Sequence, residues 1–128
     1  FNMSNPMTGQ PISILLVDDI PILLEMLKEM LTLKGYHVVA VESGTSAYTA
    51  LTQSQTKFDI VFTDVQMPDM SGITLAEKIY EFDPTLPVLL ATGDDDLDVS
   101  LPANVKAVIL KPYKPKEIAQ HINNLLGG

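Results

Sequence analysis

The chain contains no cysteine and no arginine. Without thiols there are no disulfides, no zinc–thiolate sites and no cysteine nucleophile. A reducing compartment fits this, and a cytoplasmic location is the expectation. All eight basic residues are lysines, set against 16 acidic ones for a net charge of -8. So acidic a domain is a poor match for nucleic acid or an anionic membrane surface, and it lacks the guanidinium forks that read phosphopeptides. No apolar run approaches the roughly 20 residues needed to span a bilayer. Residues 1–11 have neither the basic start nor the apolar centre of a signal peptide. They read as a tag remnant or flexible lead-in to one domain over residues 12–126. The 128 residues suffice for a single domain, one that buries about two-thirds of its unfolded surface without staples. At the other end Leu126-Gly127-Gly128 directly follows a helical pattern, so a stand-alone domain or one cut from a longer protein is expected.

What is present is an alternation of short apolar runs and amphipathic stretches. Ile14-Leu15-Leu16-Val17 has the continuous apolar character of a parallel strand covered on both faces. Pro21 suits the first turn of a helix, with Asp19 placed to cap it. Ile20, Leu23, Leu24, Leu27 and Leu31 recur at helical spacing, and Gly35 supplies the stop. Further strands are predicted at 38–41, 60–63, 88–91 and 107–110. Helices are predicted at 45–53, at 71–82 with Ile73, Ala76, Ile79 and Tyr80 inward, and from Pro115 with Ile118, Ala119, Ile122, Leu125 and Leu126 inward. The segment 93–104 is acidic and Pro-broken, so the helix expected there is shortened. This is an α/β chain, (βα)5, with right-handed crossovers and a parallel sheet. The doubly wound order 2-1-3-4-5 opens a crevice between strands 1 and 3 at their carboxyl ends.

The chemistry gathers at those carboxyl ends. Strand 1 exits into Asp18-Asp19, strand 3 into Asp64, strand 4 into Thr92 and strand 5 into Lys111-Pro112. Three carboxylates in one crevice repel one another unless a cation sits among them. Mg²⁺ suits: it takes one or two carboxylates and keeps open positions for phosphoryl oxygens. A carboxylate is also a competent nucleophile toward phosphorus, and phosphoryl transfer is mostly positioning and charge neutralisation. Singly, each residue reads as an ordinary turn or cap. Jointly, Asp-Asp, Asp64-x-x-Met67-Pro68-x-x-x-Gly72, Thr92 and Lys111-Pro112, each at a strand end, form a phosphoryl-transfer set.

In these residues the chain resembles the receiver domain of two-component response regulators, of the CheY-like superfamily, over roughly Ile12 to Leu126. The resemblance implies a flavodoxin-like (βα)5 fold and a signalling domain that promotes its own phosphorylation, not a conventional enzyme. It makes Asp64 the phosphoacceptor, Asp18 and Asp19 the pair that holds Mg²⁺ together with Asp64, and the Gln66 backbone carbonyl a further metal ligand. Thr92 becomes the switch hydroxyl and Lys111 the phosphate-binding lysine. Gln66 and Asp94 fall at the two places that tune dephosphorylation. The implied partner is a histidine kinase or histidine phosphotransfer protein; the acidic charge speaks against nucleic acid or membrane in this segment, and the shortened fourth helix and Val108, set out below, make a monomer the expectation. A cis Lys111–Pro112 bond is also implied.

Leu86–Gly93 and Ile109–Tyr113 look most like receivers of hybrid sensor histidine kinases. Two departures stand out. Val108 occupies the place where the family usually has an aromatic, three residues before the lysine. Only 18 residues separate Thr92 from Lys111. An activation that orders the acidic loop 94–102, with no swinging ring, is therefore expected. His37 and His121 read as solvated surface residues, Met67 and Met70 as packing, and Tyr113 as packing on the last helix. Two other classes fit the sequence less well. A Mg²⁺-dependent phosphatase with an aspartyl nucleophile would want Asp-x-Asp after the first strand, which Val17-Asp18-Asp19-Ile20 lacks. A flavodoxin-like cofactor binder would want backbone N–H groups and cations for its phosphate, not an acidic crevice.

Overall fold

The computed structural model describes residues 9–93 and 100–126. Nine elements follow in order: β1 (Ser13–Val17), α1 (Pro21–Leu33), β2 (His37–Val41), α2 (Gly44–Gln53), β3 (Ile60–Asp64), α3 (Gly72–Phe82), β4 (Val88–Thr92), β5 (Val105–Leu110) and α4 (Pro115–Leu126). The five strands form one parallel sheet in the order β2-β1-β3-β4-β5. This is the doubly wound order expected from the sequence. The helix expected between β4 and β5 falls largely on residues 94–99, outside the described residues, as do Asp94 and most of the acidic loop.

Period-2 alternation divides the core between the two faces of the sheet. Ile14 and Leu16 point with Ile60, Phe62 and Leu89 into a cluster closed by Leu24, Leu27 and Leu31 of α1 and Ile118 and Ile122 of α4. Leu15 and Val17 point the other way, with Val61, Val88 and Leu90, against Ala47 and Leu51 of α2 and Leu75, Ala76 and Ile79 of α3. Strands β1, β3 and β4 are covered on both faces, and this holds their carboxyl ends in fixed register. Val17 pairs with Thr63, and Asp64 with Ala91. At the edge strand β5 the register slips by one residue between Val105 and Ala107. Lys106, skipped in the pairing, is exposed, and a charged side chain on an edge discourages strand addition.

Several local expectations need correction. The N-cap of α1 is Ile20, without a side-chain cap. Asp19 does not fill that role; the Asp18 carboxylate accepts the Ile20 N–H at 2.9 Å instead. Pro21 at the first helical position removes one donor that a cap would have served. Ile20, Tyr80 and Leu125 lie on exposed sides of their elements. In α3 the inward stripe runs Gly72, Leu75, Ala76, Ile79, which rotates Tyr80 toward solvent and brings in Leu75. Gly35, at φ 101°, ends α1 in the left-handed region. No helix of the described residues is long and apolar enough to cross a membrane.

Candidate functional site

The switch point between β1 and β3 gathers three carboxylates. Asp18 follows the last residue of β1, and Asp64 is the last residue of β3; both are buried, at 2% and 3% exposure. Asp19 is half-buried beside them. One oxygen from each of Asp18, Asp19 and Asp64 lies within 4.8 Å of the other two.

Lys111, just beyond β5, places Nζ 2.9 Å from Asp64 Oδ1. Its backbone N–H donates to the Thr92 carbonyl at 2.8 Å, so the end of β4 fixes the start of the lysine. The Lys111–Pro112 peptide is cis, as the resemblance implied. Although the ion pair is close, Asp64 Oδ1 is buried with no hydrogen-bond partner among the described residues. The ammonium acts on it as a charge, not as a well-directed donor. Burial raises the Asp18 pKa; the Ile20 N–H pulls it down, the Asp64 charge pushes it up, Lys111 opposes and Asp19 adds.

Among the described residues, three carboxylates faced by one ammonium leave an unbalanced negative charge and a buried oxygen without a well-directed donor. Carboxylate oxygens at this spacing are the donor set of a hard divalent ion. The acidic cluster therefore fits Mg²⁺, with Asp18, Asp19 and Asp64 as the residues able to hold it.

Thr92, the last residue of β4, is buried at the same sheet end. Gln66 is exposed, two residues past Asp64 in the loop to α3. That loop leaves the sheet with Val65 N–H donating to Ala91 O at 2.9 Å and closes with Gly72 N–H donating to Val65 O at 2.8 Å. Only glycine fits at 72, because an added Cβ would overlap the Asp64 carbonyl oxygen. The Pro/Gly turn thus supports the backbone of Asp64 directly. Asp18, Asp19, Asp64 and Lys111 are brought together, and Thr92 shares their end of the sheet. His37, exposed beside Ser13, and His121 on α4 take no part in the acidic cluster.

Two residues acquire more importance than the sequence suggested. Tyr113 packs edge-on against Phe62 of β3, with ring centroids 5.9 Å apart, as well as joining the core cluster that holds α4 residues. Its hydroxyl is buried without a partner among the described residues. Burial, and then the charges of Asp18 and Asp64, push that phenol well above its ordinary range. An aromatic two residues after Lys111 was the available signal. Asp69, in the β3–α3 loop, is held down to about 2 by hydrogen bonds from Thr45 and Gly44. Nothing in the sequence marks that partner, 24 residues away.

A family model described as the response regulator receiver domain matches residues 14–123. The chain belongs to this family. It is 35% identical over 121 residues to the probable transcriptional regulatory protein TcrX of Mycobacterium tuberculosis, covering 92% of this chain and 51% of TcrX. The chain thus spans about half the length of that relative. A receiver domain protein from Clostridium thermocellum superposes with a TM-score of 0.83 at 28% identity, covering 91% of this chain and 94% of the other. The response regulator TrrA of Thermotoga maritima, whose structure holds Mg²⁺ and BeF, gives 0.77 at 27% identity over 89% and 98% of the two chains. A hybrid histidine kinase receiver is only one of several kinds of structural neighbour, so the finer likeness to hybrid kinases does not single out that class. The receiver is a signalling module of two-component systems, and histidine kinases are the partners of such domains.

Proposed function

We propose that this receiver takes a phosphoryl group onto Asp64 from the phosphohistidine of a histidine kinase or phosphotransfer protein. The observation that carries the reading is Asp64 itself: buried at the end of β3, within 4.8 Å of two further carboxylates, with an ammonium 2.9 Å from one oxygen. A carboxylate oxygen of Asp64 attacks phosphorus, the P–N bond breaks, and the imidazole leaves with the electron pair and is protonated. Asp18, Asp19, Asp64 and the Gln66 backbone carbonyl would hold Mg²⁺, which when bound neutralises phosphoryl oxygen charge. The TrrA complex with Mg²⁺ and BeF supports that assignment by likeness. Lys111 steadies a second phosphoryl oxygen through its ammonium. Thr92 donates its hydroxyl to a third, and its movement toward the new group is the switch. The acyl phosphate favours whichever conformation it contacts better, and only by that difference.

The test is intact-mass measurement after incubation with acetyl phosphate and Mg²⁺. One added phosphoryl group is expected on the wild type and none on Asp64→Asn. Equal labelling of both proteins would remove Asp64 from the role.

A further inference from the structure

The loop from Asp64 to α3 is tied down at its apex by a side chain. Gln66, Pro68 and Asp69 there are exposed, and Met67 and Met70 half-buried. The Asp69 carboxylate reaches the first turn of α2. Oδ2 accepts from the Thr45 N–H and from Thr45 Oγ1, both at 2.8 Å, and Oδ1 accepts from the Gly44 N–H at 3.3 Å. Beside it Met70 covers Gly44 so closely that an added Cβ would overlap its side chain. Yet α2 already has a cap of its own: Ser43 Oγ accepts the Ser46 N–H at 3.0 Å. A helix start leaves several backbone donors without partners. Ser43 serves the third position, and Asp69, from another part of the chain, serves the first two. The positive end of the helix favours a carboxylate there.

We propose that Asp69 is a positioning residue for the metal: by anchoring the β3–α3 loop to α2, it holds the Gln66 backbone in place for Mg²⁺. This rests on the receiver chemistry proposed above. The base of the loop is closed by the Gly72–Val65 hydrogen bond. Gln66 lies between that base and the Asp69 anchor, three residues from the latter. With the anchor cut, residues 66–71 regain backbone freedom, and ordering them again opposes ion binding. Groups that orient metal ligands from behind typically change metal affinity by about 10–100-fold when removed.

The experiment is a Mg²⁺ titration of the full chain followed by the backbone amide resonances of residues 64–72, with urea stability measured in parallel. Asp69→Ala is expected to weaken Mg²⁺ binding about tenfold. Asp69→Asn loses the charge but keeps one carbonyl oxygen for Thr45, and should retain most of the affinity. Ser43→Ala removes the helix's own cap without touching the loop; it should lose stability and keep wild-type affinity. Equal weakening by Ser43→Ala would reduce Asp69 to general support of α2, and an Asn variant as weak as Ala would reduce it to a charge. Either result overturns the proposal, as does an unaffected Asp69→Ala. If the wild type binds no Mg²⁺, the receiver chemistry itself fails and the positioning role falls with it.

Discussion

Replacing Asp18 by Asn should stabilise the protein when no divalent ion is present. Two carboxylate charges 4.8 Å apart, the separation that bounds Asp18 from Asp64, repel by about 3.5 kcal/mol at an effective dielectric of about 20. Asp19 is half-buried, and its repulsion is closer to the aqueous value of about 1 kcal/mol. Attraction from Lys111 offsets part of this. Asparagine keeps the oxygen that accepts the Ile20 N–H, so the local turn survives. A net gain of about 1–2 kcal/mol is expected, a rise of about 0.5–1 M in urea midpoint. In Mg²⁺ at about 100 times its dissociation constant the wild type gains about 2.7 kcal/mol. The variant, short of one ligand, gains less, so the order of stabilities narrows or reverses. Burial of the Asp18 charge adds to the repulsion, and the pH dependence checks that this charge is responsible. The folded Asp18 pKa is raised, so its contribution declines as pH rises from the ordinary carboxyl range through the folded value. The gap between the metal-free proteins should therefore close as the pH is lowered through that window. An Asn variant less stable than wild type in EDTA at neutral pH would refute the reasoning.

Gly72→Ala should cost about 1–3 kcal/mol, the usual range for overpacking, and slow phosphoryl labelling, because the new methyl group meets the Asp64 backbone. Gly93→Ala, where an added Cβ meets no atom of the described residues within 4 Å, should leave urea stability nearly unchanged; similar losses in both variants would point away from the Asp64 contact. Tyr36→Phe removes a buried hydroxyl that has no hydrogen-bond partner among the described residues. It should raise stability by up to about 1 kcal/mol in thermal unfolding, whereas a clear loss would mean the hydroxyl is satisfied in solution.

Much of the site was legible because strand ends are legible. Continuous apolar runs such as Ile14–Val17 and Ile60–Phe62 identify strands covered on both faces. The polar residue that ends such a run must then emerge at the sheet's carboxyl edge. Asp18, Asp64, Thr92 and Lys111 share that position, and the doubly wound order alone brings the exits of β1 and β3 side by side. Helix faces were less secure. Tyr80 is apolar enough to suit an inward stripe, but it lies just past the Leu75–Ala76–Ile79 face that packs on the sheet. Spacing gives the period of a stripe; its rotation is set by the partner surface.

The Asp69 contact shows what kind of information local pattern lacks. Ser43 as the cap of α2 follows from its own neighbourhood, since the donor it serves is three residues on. Asp69 serves donors 24 and 25 residues away, and the two meet because β2 and β3 flank β1 in a parallel sheet, so that the loops leaving them open side by side at the same end. An exposed acid in a Pro/Gly turn gives no hint of this. Val108 illustrates the converse. It pairs with Leu90 and packs half-buried against the cluster of α2 and α3, a position that a β-branched aliphatic fills well on a pleated surface. Its local fit is complete without an aromatic ring. Folding alone therefore does not call for an aromatic at that place. Its absence costs the resting fold little.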